Sequence, residues 1–410
     1  MTGLHRFALK VCIACLSMGG PLARAEFISG SDGSDGLFHP LSSITVDLAQ
    51  AAAAPWAAPS LDPGRGVYDS EQWAVVFKYA AVHIPAGVTV SFSNHPSGAP
   101  VVWLVQGDVV IEGVVNLDGM NGEAAGQGYA APGPGGFAGG RKAYGDQPVS
   151  GGFGPGGASR TVEPSGGGGG YATQGQAIGG GGIYGAEMIL PLIGGSGAAA
   201  GETGAGGAGG GAILIAANQL IHVGGASAIN ARGGVGEDPM GGGGSGGAVR
   251  LLADVISGAG AINALGGEAG DHGDGVGGDG RTRIEANLIQ YAGLAAPSPT
   301  FGTPVFIFPP CNAPALRIIR IDDKFMPLDP RAAIDTIEIG VGNREVVLTV
   351  EARNVPLGAL VQAKIKSEIG EALSFLSPPL RGTRGVSTTT IEVQLPQRRS
   401  EIFLSTTWAP

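Results

Sequence analysis

The chain has 410 residues, of which 77 are glycine, with 43% hydrophobic residues and a formal net charge of −10. Glycine far above its ordinary share of about 7%, with no strict Gly-X-Y period, excludes collagen, and the apolar content excludes a polar disordered chain. The acidic balance excludes nucleic acid as a partner, because that affinity rests on Lys and Arg neutralising phosphates.

Residues 1–25 read as a signal peptide. His5, Arg6 and Lys10 precede an apolar run from Val11 to Leu22, and Ala23-Arg24-Ala25 is a small-x-small cleavage site. That run is shorter than the roughly 20 apolar residues a bilayer span needs. No later stretch reaches that length either, so no transmembrane anchor is expected. Lipidation at Cys15 is the alternative. Cleavage after Ala25 moves the charge from −10 to −13 and leaves Cys311 as the last cysteine, so no internal disulfide is expected. An exported chain without disulfides reads as bacterial, and as secreted or displayed at the cell surface.

Residues 26–100 form an N-terminal segment and β cap. The stretch SGSDGSDG at 29–36 reads as a mobile terminus, with calcium ligation by its two Asp as the alternative. AVHIPAGVTVSF predicts strand, turn and strand, and Trp73, Phe77, Tyr79 and Phe92 suit a cap over the first rung of a stack. His83 and His95 read as structural or solvated.

Residues 101–294 carry a repeat, with a long glycine-rich insertion at 120–210. GAILIAAN (211–218), GAVRLLAD (247–254) and GRTRIEAN (280–287) are three copies, and VVWLVQGD (101–108) is a diverged fourth. Aligned on their last residue, they give a column of Asp108, Asn218, Asp254 and Asn287. Apolar residues fall at every second position, which predicts strands buried on one face; a helix would carry glycine at about 1 kcal/mol per position. Spacings of 36 and 33 residues between Asn218, Asp254 and Asn287 are those of a stacked repeat. A second segment in each unit aligns Asn116, Asn230 and Asn263 as a turn ladder. The predicted fold is all-β: a glycine-rich parallel β-solenoid, or β-helix, with a C-terminal immunoglobulin-like β-sandwich.

The insertion either packs as glycine-rich turns along one solenoid face or forms close-packed polyglycine helices with aromatics outside. Tyr129, Tyr144, Tyr171 and Tyr184 are candidate ligand-binding residues there, because exposed rings stack on sugars; filling gaps left by glycine is the other reading. Asp271, Asp274 and Asp279, beside His272, are the candidate calcium ligands; no other cofactor is expected. Arg250 and Arg283 share a column one rung apart, with Asp254 and Glu285 nearby. They read as outward charges and are the candidate ligand-binding or catalytic groups on the rungs.

Residues 295–314 are a Pro-rich linker. In 315–410 glycine thins and six or seven short strands return, among them LRIIRI, DTIEIG, VVLTVEA, ALVQAKI, STTTIEVQL and EIFLSTTW, which predict a β-sandwich domain.

The pattern GGGSGGAVRLLADVISGAGAINALGG, with WLVQGDVVIEGVVNLDG before it, resembles the secreted glycine-rich parallel β-solenoid proteins of environmental bacteria, largely uncharacterised, over about residues 32–293. The resemblance implies fold and location and carries no catalytic residue. Right-handed β-helix proteins, pectin-degrading enzymes and autotransporter adhesins among them, are similar more distantly. Two functions follow as expectations. One is a structural or adhesion protein binding extracellular polysaccharide, an envelope component or a protein partner. The other is a β-helix polysaccharide lyase or glycoside hydrolase, which needs paired carboxylates or calcium with a nearby base.

Overall fold

Two sheets run side by side, and an offset of 33 residues recurs in both, from Ala248–Gly258 to Arg281–Tyr291 and from Ala228–Asn230 to Ala261–Asn263. The computed structural model describes residues 26–408 except 127, 162, 327–343, 371 and 397. The expected signal peptide, Cys15 and the DTIEIG strand lie outside the described residues. The described chain is essentially all-β.

The larger, ten-stranded sheet orders Thr300–Gly302, Arg281–Tyr291, Ala248–Gly258, Ala212–Val223, Val101–Val105, Ala74–Ile84, Val67–Asp69 and Ala52–Ala53, with Val109–Ile111 also lying between Ala212–Val223 and Ala74–Ile84 and Gly36–Phe38 pairing with Ala74–Ile84. Its pairs are parallel except Val67–Asp69 against Ala74–Ile84. The smaller sheet is parallel throughout, from Ile44–Asp47 through Val114–Asn116, Ala228–Asn230 and Ala261–Asn263 to Ala295–Ala296. Ile213, Ile215, Val249, Leu251 and Ile284 from the first sheet meet Val115, Ile229 and Ile262 from the second in one core. Phe77, Tyr79, Trp103 and Phe92 stack inside it toward its N-terminal end. The predicted cap at 74–93 is paired in both sheets.

The diverged copy lies two residues off the expected alignment. Val105, not Gly107, stands opposite Ala217, and Val109 stands opposite Ile221. A shift by two keeps inward residues inward, so the core face is unchanged.

The expectation of one buried face is corrected. Val101 through Val105 are all buried, as are Ala212 through Ala217. A second apolar layer holds Val102, Leu104, Leu214 and Leu252 against Tyr171, Ile189 and Leu192 of the insertion and Ile307 of the linker. Parallel sheets covered on both faces read as near-continuous apolar runs, as these strands do.

The insertion joins later glycine segments in a hydrogen-bonded bundle whose partners cycle with a period of three. The N–H groups of Gly195 and Ala198 go to Gly210 and Gly207, those of Gly197 and Ala200 to Phe153 and Ser150, and that of Ala199 to Gly167. The next segment repeats the rule: Gly206 and Gly209 donate to Gly140 and Phe137, and Gly207 and Gly210 to Gly242 and Ser245. Chains with three residues per turn and no internal hydrogen bonds produce this cycle. Neighbours approach so closely that a Cβ on Gly197 would sit 1.8 Å from the Ala138 carbonyl oxygen. Phe153 and Tyr171 are buried rather than set outside.

Two further corrections concern the ends of the repeat. The 29–36 stretch is stitched down: Ser29 Oγ donates to Val105 O, Ser31 Oγ to Tyr79 O, and the Asp35 carboxylate accepts N–H groups from Gly64, Gly66 and Lys78. The linker begins late, because Ala295–Ala296 and Thr300–Gly302 still pair with the last rungs. Beyond it, antiparallel sheets of five and three strands share a core of Leu348, Val350, Val361, Ala363, Ile391 and neighbours.

Candidate functional site

The charged column on the rungs is the first place to look for chemistry, and it is sealed. Arg250 and Glu285 are fully buried and Arg283 is 8% exposed. Arg250 Nε and Nη2 donate to the two Glu285 oxygens at 3.0 and 3.2 Å, and Arg283 Nε donates to Oε1 at 2.6 Å. The strap that follows Gly302 closes over them, its carbonyls of Phe306 and Ile307 accepting from Arg250 at 2.6 and 3.2 Å. Burial lowers the Arg250 pKa, and Glu285 opposes that shift. The outward charges expected at Arg250 and Arg283 are thus internal. Their column lies on the second buried face, where a lone charge must be paired.

The candidate tyrosines separate. Tyr171 is fully buried, its ring 4.6 Å from that of Tyr184 and beneath the Arg281 guanidinium, with its hydroxyl donating to Ile193 O. Burial pushes its pKa well up. Tyr184 donates to Gly194 O and accepts from Ser196 Oγ. The Tyr171 ring is closed to a sugar, and Tyr184 is half-buried against it. Tyr144 is 54% exposed on a turn bridged to Gln147.

Asp271, Asp274 and Asp279 do not converge. The backbone N–H of each goes to a different place, to Asp238, Ser165 and Thr173 in turn. Among the described residues no group of three or more His, Cys, Asp or Glu side chains is placed to hold a metal ion.

The Asx columns are in register where the repeat is regular. Asn263 Nδ2 donates to Asn230 Oδ1 at 2.7 Å, and Asn287 Nδ2 to Asp254 Oδ1 at 2.6 Å. Asn116 pairs with Asn230 across the sheet, and its side chain accepts the Asp118 N–H. Asn218 leaves the column to accept the Ser29 N–H, and Asp108 stands two residues past its expected place. These groups fasten backbone.

Tyr129 belongs to a clamp between the glycine bundle and the C-terminal sheets. Its ring lies edge-on to Phe153, with Arg141 and Arg399 within 5.0 and 5.6 Å of its centroid, and its hydroxyl donates to Glu368. Burial, then Glu368, pushes its pKa up to about 12. The Gly151 and Gly154 amides donate to Glu368 O and Glu401 Oε2.

Lys366 is the buried cation of the clamp. It is 5% exposed, its Nζ has no hydrogen-bond partner, and burial lowers its pKa from 10.5 to about 7, with Glu401 opposing and Lys364 reinforcing that shift. Between those pH values the unfolded chain holds a proton the folded chain lacks, so stability rises with pH from about 7 to 10.5 and is lowest below 7. Lys366→Met is expected to stabilise the chain at pH 6 by roughly 1–3 kcal/mol, the cost of an unbonded buried polar group, and to flatten that rise. Urea unfolding at pH 6, 8 and 10 checks both; a variant that keeps the wild-type pH slope rules Lys366 out as its source.

Two concavities stand out among the described residues. One, of about 400 Å³, is almost wholly apolar and lies beside Leu37, His39, His83 and Val110. There His83 Nε2 is 3.0 Å from Glu112. The other, of about 660 Å³, lies on the three-stranded sheet and is walled by Leu357, Leu360, Gln362, Leu376, Ser405 and Trp408 among others. Sequence reasoning passed over this second group. Its signal was present in the outward alternation Leu360, Gln362, Lys364 and in the Ser-Thr-Thr-Trp ending.

Comparison with family models, with curated proteins and with solved structures found no match to this chain.

Proposed function

We propose that this chain is an exported bacterial scaffold protein, secreted or held at the cell surface, which binds extracellular polysaccharide or an envelope partner without transforming it. Its two parallel sheets are read as the walls of a glycine-rich β-solenoid, and its C-terminal sheets as an immunoglobulin-like sandwich. The 33-residue step common to Arg250–Arg283 and Asn230–Asn263 supports the first reading, since both sheets advance together. Export rests on the leader-like residues 1–25 and the cysteine usage.

The observation that carries the functional reading is the fate of the rung charges. The residues that a lyase or hydrolase would present from the stack are Arg250, Arg283, Glu285 and Asp254; the first three are buried, mutually paired and strapped over, and the half-buried Asp254 accepts from Asn287 Nδ2. General acid–base chemistry needs a side chain within hydrogen-bond reach of substrate. What is left for recognition is the outer surface of a rigid body.

The test incubates the full chain with soluble polysaccharides, with and without calcium, and follows retention and release of new reducing or unsaturated ends. Retention without new ends is the expected outcome. New ends would overturn the scaffold reading in favour of the lyase or hydrolase, and loss of retention in chelator would restore calcium to the account.

A further inference from the structure

The polysaccharide reading leaves open where a glycan would sit and of what kind, and the groove on the three-stranded sheet answers both. Leu360–Ser367 is the centre of this sheet, flanked by Leu373–Leu376 and Ser400–Thr407. Gln362 stands opposite Leu376 on one side and Ser405 on the other, and Leu360 stands opposite Thr407, so these side chains form rows across the strands. The wall beside them is the turn at 356–359. Ala359 N–H donates to Pro356 O, and Gly358 takes φ +84°, the positive value that favours glycine at the third position of a type II turn. Trp408 closes the other side, 40% exposed, with Leu376 at 62% and Leu357 at 51%.

Three properties of the lining select a ligand. First, it is mixed: Trp408 and the leucines offer apolar area, while Gln362, Ser405 and Thr407 offer amide and hydroxyl groups, with Ser405 Oγ donating to Gln362 Oε1 and the Thr406 hydroxyl taken up by Leu360 O. Second, none of the lining residues is charged, in a chain with 34 acidic and 24 basic residues. A uronate, sulfated or phosphorylated ligand would leave its anion unpaired here, and a charge without a partner is costly to desolvate. Third, the central strand bonds both neighbours, so a peptide strand could join only along the outer edges of the sheet and not across its face. A pyranose ring has an apolar C–H face and a rim of hydroxyls, which is the complement of an indole plate set among short polar groups. The volume, about 660 Å³, lies within the roughly 300–1,000 Å³ of small-ligand sites.

We infer that this groove is a binding site for a neutral polysaccharide, with Trp408 as the stacking platform and Gln362, Ser405 and Thr407 as hydroxyl partners. The inference rests on the scaffold reading and adds to it a location and a ligand class. Tyr171 is shut inside the molecule, and Tyr184, half-buried, has its hydroxyl bonded to Gly194 and Ser196.

The experiment uses the full chain and its Trp408→Ala, Trp408→Phe and Gln362→Ala variants in affinity electrophoresis. The probes are galactomannan, xyloglucan, arabinoxylan and mixed-linkage β-glucan, with polygalacturonate as the anionic contrast. At least one neutral probe is expected to retard the wild type, and Trp408→Ala to weaken that binding by about tenfold or more, as truncating an aromatic anchor does. Trp408→Phe should recover part of the loss, which separates stacking from misfolding, and Gln362→Ala should weaken binding with the tryptophan intact. Neutral binding unchanged in Trp408→Ala overturns the site and leaves the polysaccharide reading standing. Retardation by polygalacturonate alone overturns the neutral class. Failure to bind any probe removes this inference and the polysaccharide reading together.

Discussion

Gly197→Ala is expected to destabilise the chain by about 3 kcal/mol or more, at or beyond the top of the range for overpacking, whereas Gly182→Ala stays within about 0.5 kcal/mol of the wild type. Both glycines belong to the same glycine-rich region, and only their surroundings differ. A Cβ at Gly197 would meet the carbonyl oxygen of Ala138 at 1.8 Å, its carbon at 2.5 Å and the Gly139 nitrogen at 2.8 Å. All three are backbone atoms, so no rotamer change relieves the clash. At Gly182 no atom lies within 4 Å of the same Cβ. Urea unfolding of the two variants side by side makes the comparison, and equal midpoints would show that the bundle does not hold its chains at this separation.

Glu285→Leu carries the second large effect. The substitution leaves Arg250, fully buried, and Arg283, 8% exposed, with no carboxylate between them. Breaking a buried ion pair from one side costs about 3–5 kcal/mol, because the remaining charge stays desolvated. Replacing the whole group, Arg250→Met with Arg283→Met and Glu285→Leu, should return most of that loss, since apolar residues of similar volume substitute well for buried ion networks. Chemical unfolding of the single and triple variants decides the matter. A triple variant no better than Glu285→Leu would mean that the Arg250 bonds to Phe306 and Ile307 matter more than charge balance.

The period of the repeat was legible because it is written in residues that must recur. Asn230 and Asn263 bond each other, as do Asp254 and Asn287, and each pair spans one step of 33. The inward aliphatics were legible because parity survives small errors of register. VVWLVQGD, misaligned by two, still placed Trp103 and Val105 in the core. Its true register sets Val105 against Ala217 and Val109 against Ile221 at one constant offset of 112 residues, so Asp108 does not stand in the expected Asx column. The second buried face was hidden for a different reason. Arg250 reads as an outward charge until Phe306, 56 positions on, is laid over it. The tyrosines misled in the same way: amid glycine they look exposed, and the sheet face that covers Tyr171 lies in other parts of the chain. Trp408 was the reverse case, a residue given no role in the sequence, whose place beside Gln362 and Leu376 depends on neighbouring strands.

The return of the chain to the larger sheet sets a timetable for its maturation. Val101 pairs with Ile213, so a strand waits 112 positions for its neighbour. Ribosomes deliver about 5–20 residues per second, which leaves that edge unfilled for roughly 6–22 s. Unfilled edges recruit other chains, and the danger grows with local concentration. A low local concentration of unfinished chains is the condition under which so delayed a pairing is safe.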